Sequence, residues 1–410
     1  MKCQCGCGQD TPLATKTRTE LGEKKGDPRP YVPGHRPVGE NSKVAKVAEL
    51  LQNAGIDPED VAKIDKINLY QGYYKDPEGN SQKVDMASIQ VTPTWADGPQ
   101  WPVVQPAIPA VVKYADKRKI KHVGRTTVLL PDPQIGFWRL ADGDLIPTHD
   151  RLAMNASLAM IDILRPHRIV NLGDFLDLSE WSQKFAIFPE FANTTQLAVN
   201  EGHTYLAEQK SAAGSSLEEH DLLEGNHDDR IPRLIVQNAK AALRLHRADE
   251  PKGWPVLSVP NLLALDSLGV NYHSGYPAAR LKLADRHGRQ ASLWALHGEK
   301  LDMQRQARAS RISTIQGHSH HLSMHSETYT DDDGDPIDVR AYSIGSLCRN
   351  DGVVPSTRGA PDLYGNPVRR HESWTQAIGI LHETDDMWAL EIVDIVDGKA
   401  YFRDQIIDPR

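Results

Sequence analysis

Cysteine is scarce, with four residues in a chain of 410, too few for a disulfide-stapled scaffold. No run of about 18 uninterrupted apolar residues occurs, which argues against a membrane-spanning helix. The opening Met1-Lys2-Cys3-Gln4-Cys5-Gly6-Cys7-Gly8 has no apolar stretch behind its charge, so no secretory signal is expected and a cytoplasmic location is. Positive charge is not in excess either. The 47 Lys+Arg against 55 Asp+Glu leave a net −8, so any attraction to nucleic acid must come from a local patch. Neither an internal repeat nor a heptad pattern is present, and the oligomeric state stays open. What remains is an ordinary globular composition, 39% hydrophobic and 25% charged, long enough for about two or three domains.

Composition divides the chain. Residues 1–40 are rich in Gly, Pro, Lys and Thr and short of large aliphatics, so they read as a small module that needs a metal or partner to fold. Residues 41–123 read as one short amphipathic helix (Val44, Val47, Ala48, Leu51) followed by an extended linker studded with Pro and Gly. A basic stretch, Lys113 to Arg125, ends it. From residue 124 to 410, short apolar runs alternate with helical patterns, which predicts an α/β domain. The clearest helix has Thr148 as its cap, Leu152, Ala156, Ala159, Ile163 and Leu164 on one side, and Pro166 as its stop. The tail from Val339 reads as strands that complete a second sheet.

Five apolar runs are each followed by ligand-type residues. Val128-Leu130 leads to Asp132-Pro133-Gln134, and Ile169-Leu172 to Gly173-Asp174-Phe175-Leu176-Asp177. Leu222-Leu223 leads to Gly225-Asn226-His227-Asp228, Leu293-Leu296 to His297-Gly298, and Ile312-Ile315 to Gly317-His318-Ser319-His320. Ligands of open α/β sheets bind beyond the carboxyl ends of strands, so these five groups are expected to converge. A carboxylate such as Asp174 can bridge two cations while amide oxygens and imidazoles complete both spheres. Two cations about 3.5–4 Å apart clamp the attacking and leaving oxygens of a phosphoryl displacement.

In this order the five groups resemble the calcineurin-like metallophosphoesterase family, whose motifs run D-x-H, G-D-x-x-D, G-N-H-D/E, H and G-H-x-H, over residues 124–350. The resemblance implies a two-sheet α/β sandwich. It implies that Asp132, Gln134, Asp174 and His320 hold one metal, and that Asp174, Asn226, His297 and His318 hold the other. His227 would protonate or stabilise the leaving oxygen, with Asp228 as its orienting carboxylate. Apart from the resemblance, Arg230, two residues after Asp228, is placed to contact a substrate phosphate or to form a surface salt bridge. One position departs from the pattern: Gln134 stands where the family has His. An amide oxygen is a weaker and harder donor than imidazole nitrogen, so manganese is the expected metal, with iron or zinc as alternatives. Asp177 is expected to accept a hydrogen bond from a ligand or a backbone amide, or to cap a helix.

Further basic residues suggest the substrate. Lys300, Arg305, Arg308 and Arg311 lie between two ligand groups, three of them at helical spacing, and favour a phosphodiester, DNA or RNA included. Trp181, Phe185, Phe188 and Phe191 offer a pocket wall or a stacking surface. Cys3, Cys5 and Cys7, with His35, would form a structural Cys₃His zinc site, and this segment resembles the short cysteine-rich leaders of some phage-encoded proteins, nucleases among them. The expected function is a two-metal phosphodiesterase, nuclease-like in substrate. The alternatives are a phosphomonoesterase or cyclic-nucleotide phosphodiesterase, and a catalytically weakened nucleic-acid-binding or scaffold protein.

Overall fold

The computed structural model describes residues 2–3, 8–17, 24–32, 47, 50–57, 61–75, 78–93, 122–140, 143–182, 193–354 and 372–410, with backbone alone for 61–72, 74 and 83–93. The chain divides into two compact units, Met1–Val103 and Val104–Arg410. Cys5, Cys7 and His35 lie outside the described residues, as do Phe185, Phe188, Phe191 and the basic run at 113–121. Cys3 is buried, and its sulfur accepts from the Val32 amide at 3.3 Å.

In the first unit, part of the segment expected to be linker is instead a long antiparallel hairpin, β1 (Val61–Lys75) and β2 (Ser81–Pro93). Gly79, in its connection, has positive φ, so one of the breakers that suggested a linker in this stretch serves a turn.

The second unit is an α/β sandwich of two sheets. Strands β3 (Arg125–Leu130), β6 (Arg168–Asn171), β7 (Glu219–Leu223) and β8 (Asn271–His273) are parallel neighbours; a short hairpin, β4 (Phe137–Arg139) with β5 (Leu145–Pro147), follows β3. The second sheet has the order β12-β13-β11-β10-β9, from β9 (Arg280–Ala284), β10 (Leu293–Leu296), β11 (Ser313–Gln316), β12 (Leu322–Thr330) and β13 (Pro336–Ile344). Of the tail, only β13 joins it. Strands β14 (Ala377–Glu383), β15 (Trp388–Val396), β16 (Lys399–Phe402) and β17 (Gln405–Ile407) run antiparallel from the free edge of β3 and extend the first sheet to eight strands. Between β16 and β17 the chain turns at Arg403 and Asp404, both at positive φ.

The sheets meet through Leu129, Val170, Leu172 and Leu223 on one side and Leu293, Ala295, Ile315, Tyr342 and Ile344 on the other. The opposite face of the first sheet is covered by α1 (Arg151–Leu164) and α2 (Thr195–Ala213). With both faces covered, β3 and β6 are almost wholly buried, as their near-continuous apolar runs require. The cap of α1 is Asp150, not Thr148: its carboxylate accepts from the amides of Leu152 and Ala153 at 3.0 and 3.2 Å. The buried stripe falls on Ala153, Met154, Ala156, Met160, Ile161 and Leu164, and Leu152 is exposed. Three further helices are α3 (Arg230–Asn238), α4 (Val259–Leu262) and α5 (Leu265–Leu268). A last one, α6 (Met303–Ser310), packs Met303 and Ala307 on Val339 and Ala341 of the second sheet. Among the described residues, no helix is long and apolar enough to cross a membrane.

A buried polar set ties α2 to the first sheet: Gln209 exchanges hydrogen bonds with Asn171 at 3.0 and 3.1 Å, and His220 Nε2 donates to Gln209 Oε1 at 2.9 Å. Burial pushes His220 down from 6.5 to about 4. Between these values the unfolded chain holds the extra proton, so His220 contributes stability that is present above pH 6.5 and lost as pH falls through 4. The loss by about pH 4.5 is roughly 2–3 kcal/mol. His220→Gln keeps a donor and removes the titration. Its urea midpoint is therefore expected to fall less between about pH 7 and pH 4.5 than that of the parent, and equal slopes would refute this assignment.

Candidate metal centre

The carboxyl ends of β3, β6 and β7 meet those of β10 and β11, and the five sequence groups stand at these ends. Each loop must turn its first polar side chain sharply back toward the neighbouring sheet. Asp132, Gln134, Asp174, His318 and His320 accordingly all have positive φ, between 40° and 59°. At about 1–3 kcal/mol each, such a concentration persists only where the surroundings over-determine it. Two glycines let the loops close. A Cβ on Gly225 would lie 2.1 Å from the Asp174 amide nitrogen and 2.3 Å from its Oδ1, and one on Gly317 would lie 1.8 Å from Asp132 Oδ2.

Two sets of potential ligands result, Asp174 with His297 and His318, and Asp132 with Asp174 and His320. Within each set the ligand atoms lie within 4.8 Å of one another, and Asp174 is common to both. Backbone amides fix both carboxylates: His227 N donates to Asp174 Oδ1 at 2.8 Å, and His318 N lies 3.1 and 2.9 Å from the two oxygens of Asp132. His297 Nδ1 donates to the Leu172 carbonyl at 2.9 Å. Its Nε2 faces Asn226 Oδ1 at 3.1 Å and Asp174 Oδ1 at 3.3 Å. In the neutral ring three acceptors therefore converge, an arrangement that only a proton or a cation reconciles.

The electrostatics follow. Burial alone would raise Asp174, but the imidazoles of His227 and His297 hold its carboxyl well below the usual range. Burial lowers His297, and the Asp174 carboxylate more than reverses this, to about 9. His318 is lowered by burial and by the charge of His297.

Gln134 lies beside His320, its Nε2 donating to His320 Nε2 at 3.3 Å, while its Oε1 is buried without a hydrogen-bond partner. An orphaned acceptor beside a carboxylate and an imidazole fits a cation, and exchanging the two ends of the amide would present the oxygen there. His320 is further set by Cys348, Sγ 3.8 Å from Nδ1, and by an edge contact to Trp374. Gln134→His supplies a stronger donor at a φ that His adopts more readily than Gln. Its affinity for Mn²⁺ by calorimetric titration is expected to rise by about tenfold or more; a fall would mean that the amide is the better partner.

The carboxylate against His227 is Asp177, not Asp228. His227 Nδ1 lies 3.0 Å from both the main-chain oxygen and Oδ1 of Asp177. Burial would raise Asp177, but the His227 contact and Arg230 hold it low. Asp228 turns the other way and accepts from the amides of Gly225, Leu176 and Phe175 at 2.9, 3.3 and 3.4 Å, tying two site loops together. Burial and the nearby Asp174 charge push it up to about 7. Arg230 reaches His227 Nε2 at 3.0 Å and the Asp177 carbonyl at 2.5 Å.

A cleft of about 620 Å³ opens over the centre, lined by Trp181, Asn226, Arg230, Arg233, Tyr276 and His318 among others. Arg233, Tyr276 and Glu299 went unread in the sequence; the signal for Arg233 was its place three residues after Arg230 on α3. The arginines of α6 and Arg311, which follows it, do not line this cleft: Arg308 pairs with Glu327 at 2.8 Å, Arg305 faces Asp302, and Arg311 stacks on Tyr329.

No protein-family model and no curated protein matches the chain. Among solved structures, a single mutant of Vps29 from Entamoeba histolytica matches with 12% identity and a TM-score of 0.27, and a double mutant of the same protein with 12% identity and 0.28. Each match covers 69% of this chain and 98% of the other. At these values the chemistry must be judged from the side chains themselves.

Proposed function

We propose that this protein is a metal-dependent phosphoesterase of the calcineurin-like type, acting on phosphodiesters. One observation carries the proposal: two ligand sets, buried except for the half-buried His318, that share Asp174 at the joined ends of two parallel strand sets. Asp132, Gln134, Asp174 and His320 would hold one divalent cation, and Asp174, Asn226, His297 and His318 the other. Bound there, the cations would polarise the phosphoryl group and lower the pKa of attacking water.

The chain's own groups supply the rest. Asp177 orients His227 through Nδ1, which leaves Nε2 facing Arg230, a residue of the cleft lining. In the free protein Arg230 donates to that Nε2 and holds it as an acceptor. A substrate phosphate that draws the Arg230 guanidinium to itself frees Nε2 to take up a proton from water and pass it to the leaving oxygen. Arg233, held through Nε by an ion pair with Asp229, adds a second guanidinium at the cleft wall. Substrate capture is thereby coupled to readiness of the acid.

The test is hydrolysis of bis-p-nitrophenyl phosphate by metal-stripped protein with Mn²⁺ restored. Turnover that requires Mn²⁺ and falls by about 10²–10⁴-fold in His227→Ala supports the proposal. Folded protein inactive with every divalent metal would defeat it in favour of a binding protein.

A further inference from the structure

Two aromatic rings stand at the walls of the cleft, and neither has a part in holding cations. Trp181 follows β6 and Tyr276 follows β8, the two strands that flank β7; Asn226 stands in the loop after β7, and Arg230 and Arg233 on α3 beyond it. Both rings and both arginines line this one cleft. Both are half-buried and pinned from behind. Trp181 Nε1 donates to Thr195 Oγ1 at 3.1 Å, and the neighbouring Glu180 carboxylate accepts from the amides of Asn193, Thr194 and Thr195 at 2.7, 3.1 and 2.8 Å. Tyr276 packs edge-on to His297 with centroids 5.7 Å apart. Glu224 accepts from the amides of Gly275 and Tyr276 at 2.6 and 2.9 Å, and from the Tyr272 hydroxyl at 3.1 Å.

Rings fixed in this way lose little entropy when a flat group stacks on them. The cleft volume lies within the roughly 300–1,000 Å³ range of small-ligand sites, which suits one nucleotide unit better than a duplex. Glu299, exposed and on the same wall, adds an acceptor suited to a sugar hydroxyl or an exocyclic amine.

From this juxtaposition we infer that the cleft takes a nucleobase-bearing phosphate ester, its base stacked on Trp181 and Tyr276 and its phosphate toward Arg230 and Arg233. This deepens the phosphoesterase proposal and rests on it for the chemistry. A phosphomonoester of a simple sugar leaves both rings unused, whereas a planar heteroaromatic base and an anionic phosphate match the aromatic and cationic groups together.

Calorimetric titration of the full chain, with and without Mn²⁺, against AMP and ribose 5-phosphate isolates the base. AMP is expected to bind about tenfold or more tightly. Trp181→Ala and Tyr276→Ala should each remove most of that preference while leaving ribose 5-phosphate affinity unchanged, and Trp181→Phe should restore it. Circular dichroism on each variant separates loss of stacking from loss of fold, and Tyr276→Ala carries the test if Trp181→Ala does not fold. A single-stranded tetranucleotide that binds more tightly than AMP assigns strand ends as the source of the base, and equal binding assigns free nucleotides; both uphold the base site. Equal affinity for AMP and ribose 5-phosphate, or a preference untouched in folded variants at both rings, overturns it. Absence of bis-p-nitrophenyl phosphate turnover with the AMP preference intact would instead remove the chemistry and leave the base site standing.

Discussion

Asp174→Ala is expected to remove both divalent ions at once. The two ligand sets share this side chain and no other, and each keeps only two of its three acidic or imidazole ligands without it. Calorimetric titration with Mn²⁺ should show no strong site in Asp174→Ala, whereas His318→Ala and His320→Ala should each weaken one site and spare the other. Turnover should fall by more than about 100-fold, beyond the roughly 10–100-fold that loss of an outer hydrogen-bond partner produces. The substitution also leaves the His227 amide without its acceptor, so Asp174→Asn, which keeps an oxygen, is the companion variant. Retention of one full-affinity ion in both variants would show that Asp174 is not shared.

Gly225→Ala should unfold or badly misplace the site with no change of charge. The added methyl would lie 2.1 Å from the Asp174 amide nitrogen and 2.3 Å from Oδ1; the first is backbone, and the second is a carboxylate oxygen held by the His227 amide. The backbone of one loop must retreat from the other, and Asp228, which links Gly225 to Phe175 and Leu176, must stretch or break its contacts. A loss of about 1–3 kcal/mol, toward the upper end, is expected in urea unfolding, together with loss of Mn²⁺ binding. Parental stability and affinity would mean that the loops are less closely apposed than described.

The ligand groups were legible because each combines two independent signals, an apolar run that ends a buried strand and polar residues whose only economical place is beyond that end. The partner of His227 was not legible. Asp177 and Asp228 are equally plausible by spacing, and the choice is made by the direction of backbone amides at 175, 176 and 225, which the sequence does not display. The α6 arginines are at the right spacing but on the wrong side, since helical period fixes which residues share a face and not which way the face looks. Asp150 displaced Thr148 as cap because the strand-like stretch before α1 runs two residues longer than the polar pattern implied. The tail strands followed the β3 edge because a bare edge in the first sheet offers pairing that sequence order alone does not reveal.

The ligands belong to strand ends of both sheets, and this gives the centre a place in time as well as in space. The β3–β6–β7 crossovers can form from contacts nearby in sequence, but Asp132 and Asp174 reach His297, His318 and His320 only after the two sheets have docked. Long-range pairings of this kind form late in folding. On the proposed function, ion uptake during refolding would therefore be a stopwatch for sandwich closure, silent while secondary structure grows and switched on by the step that completes the core.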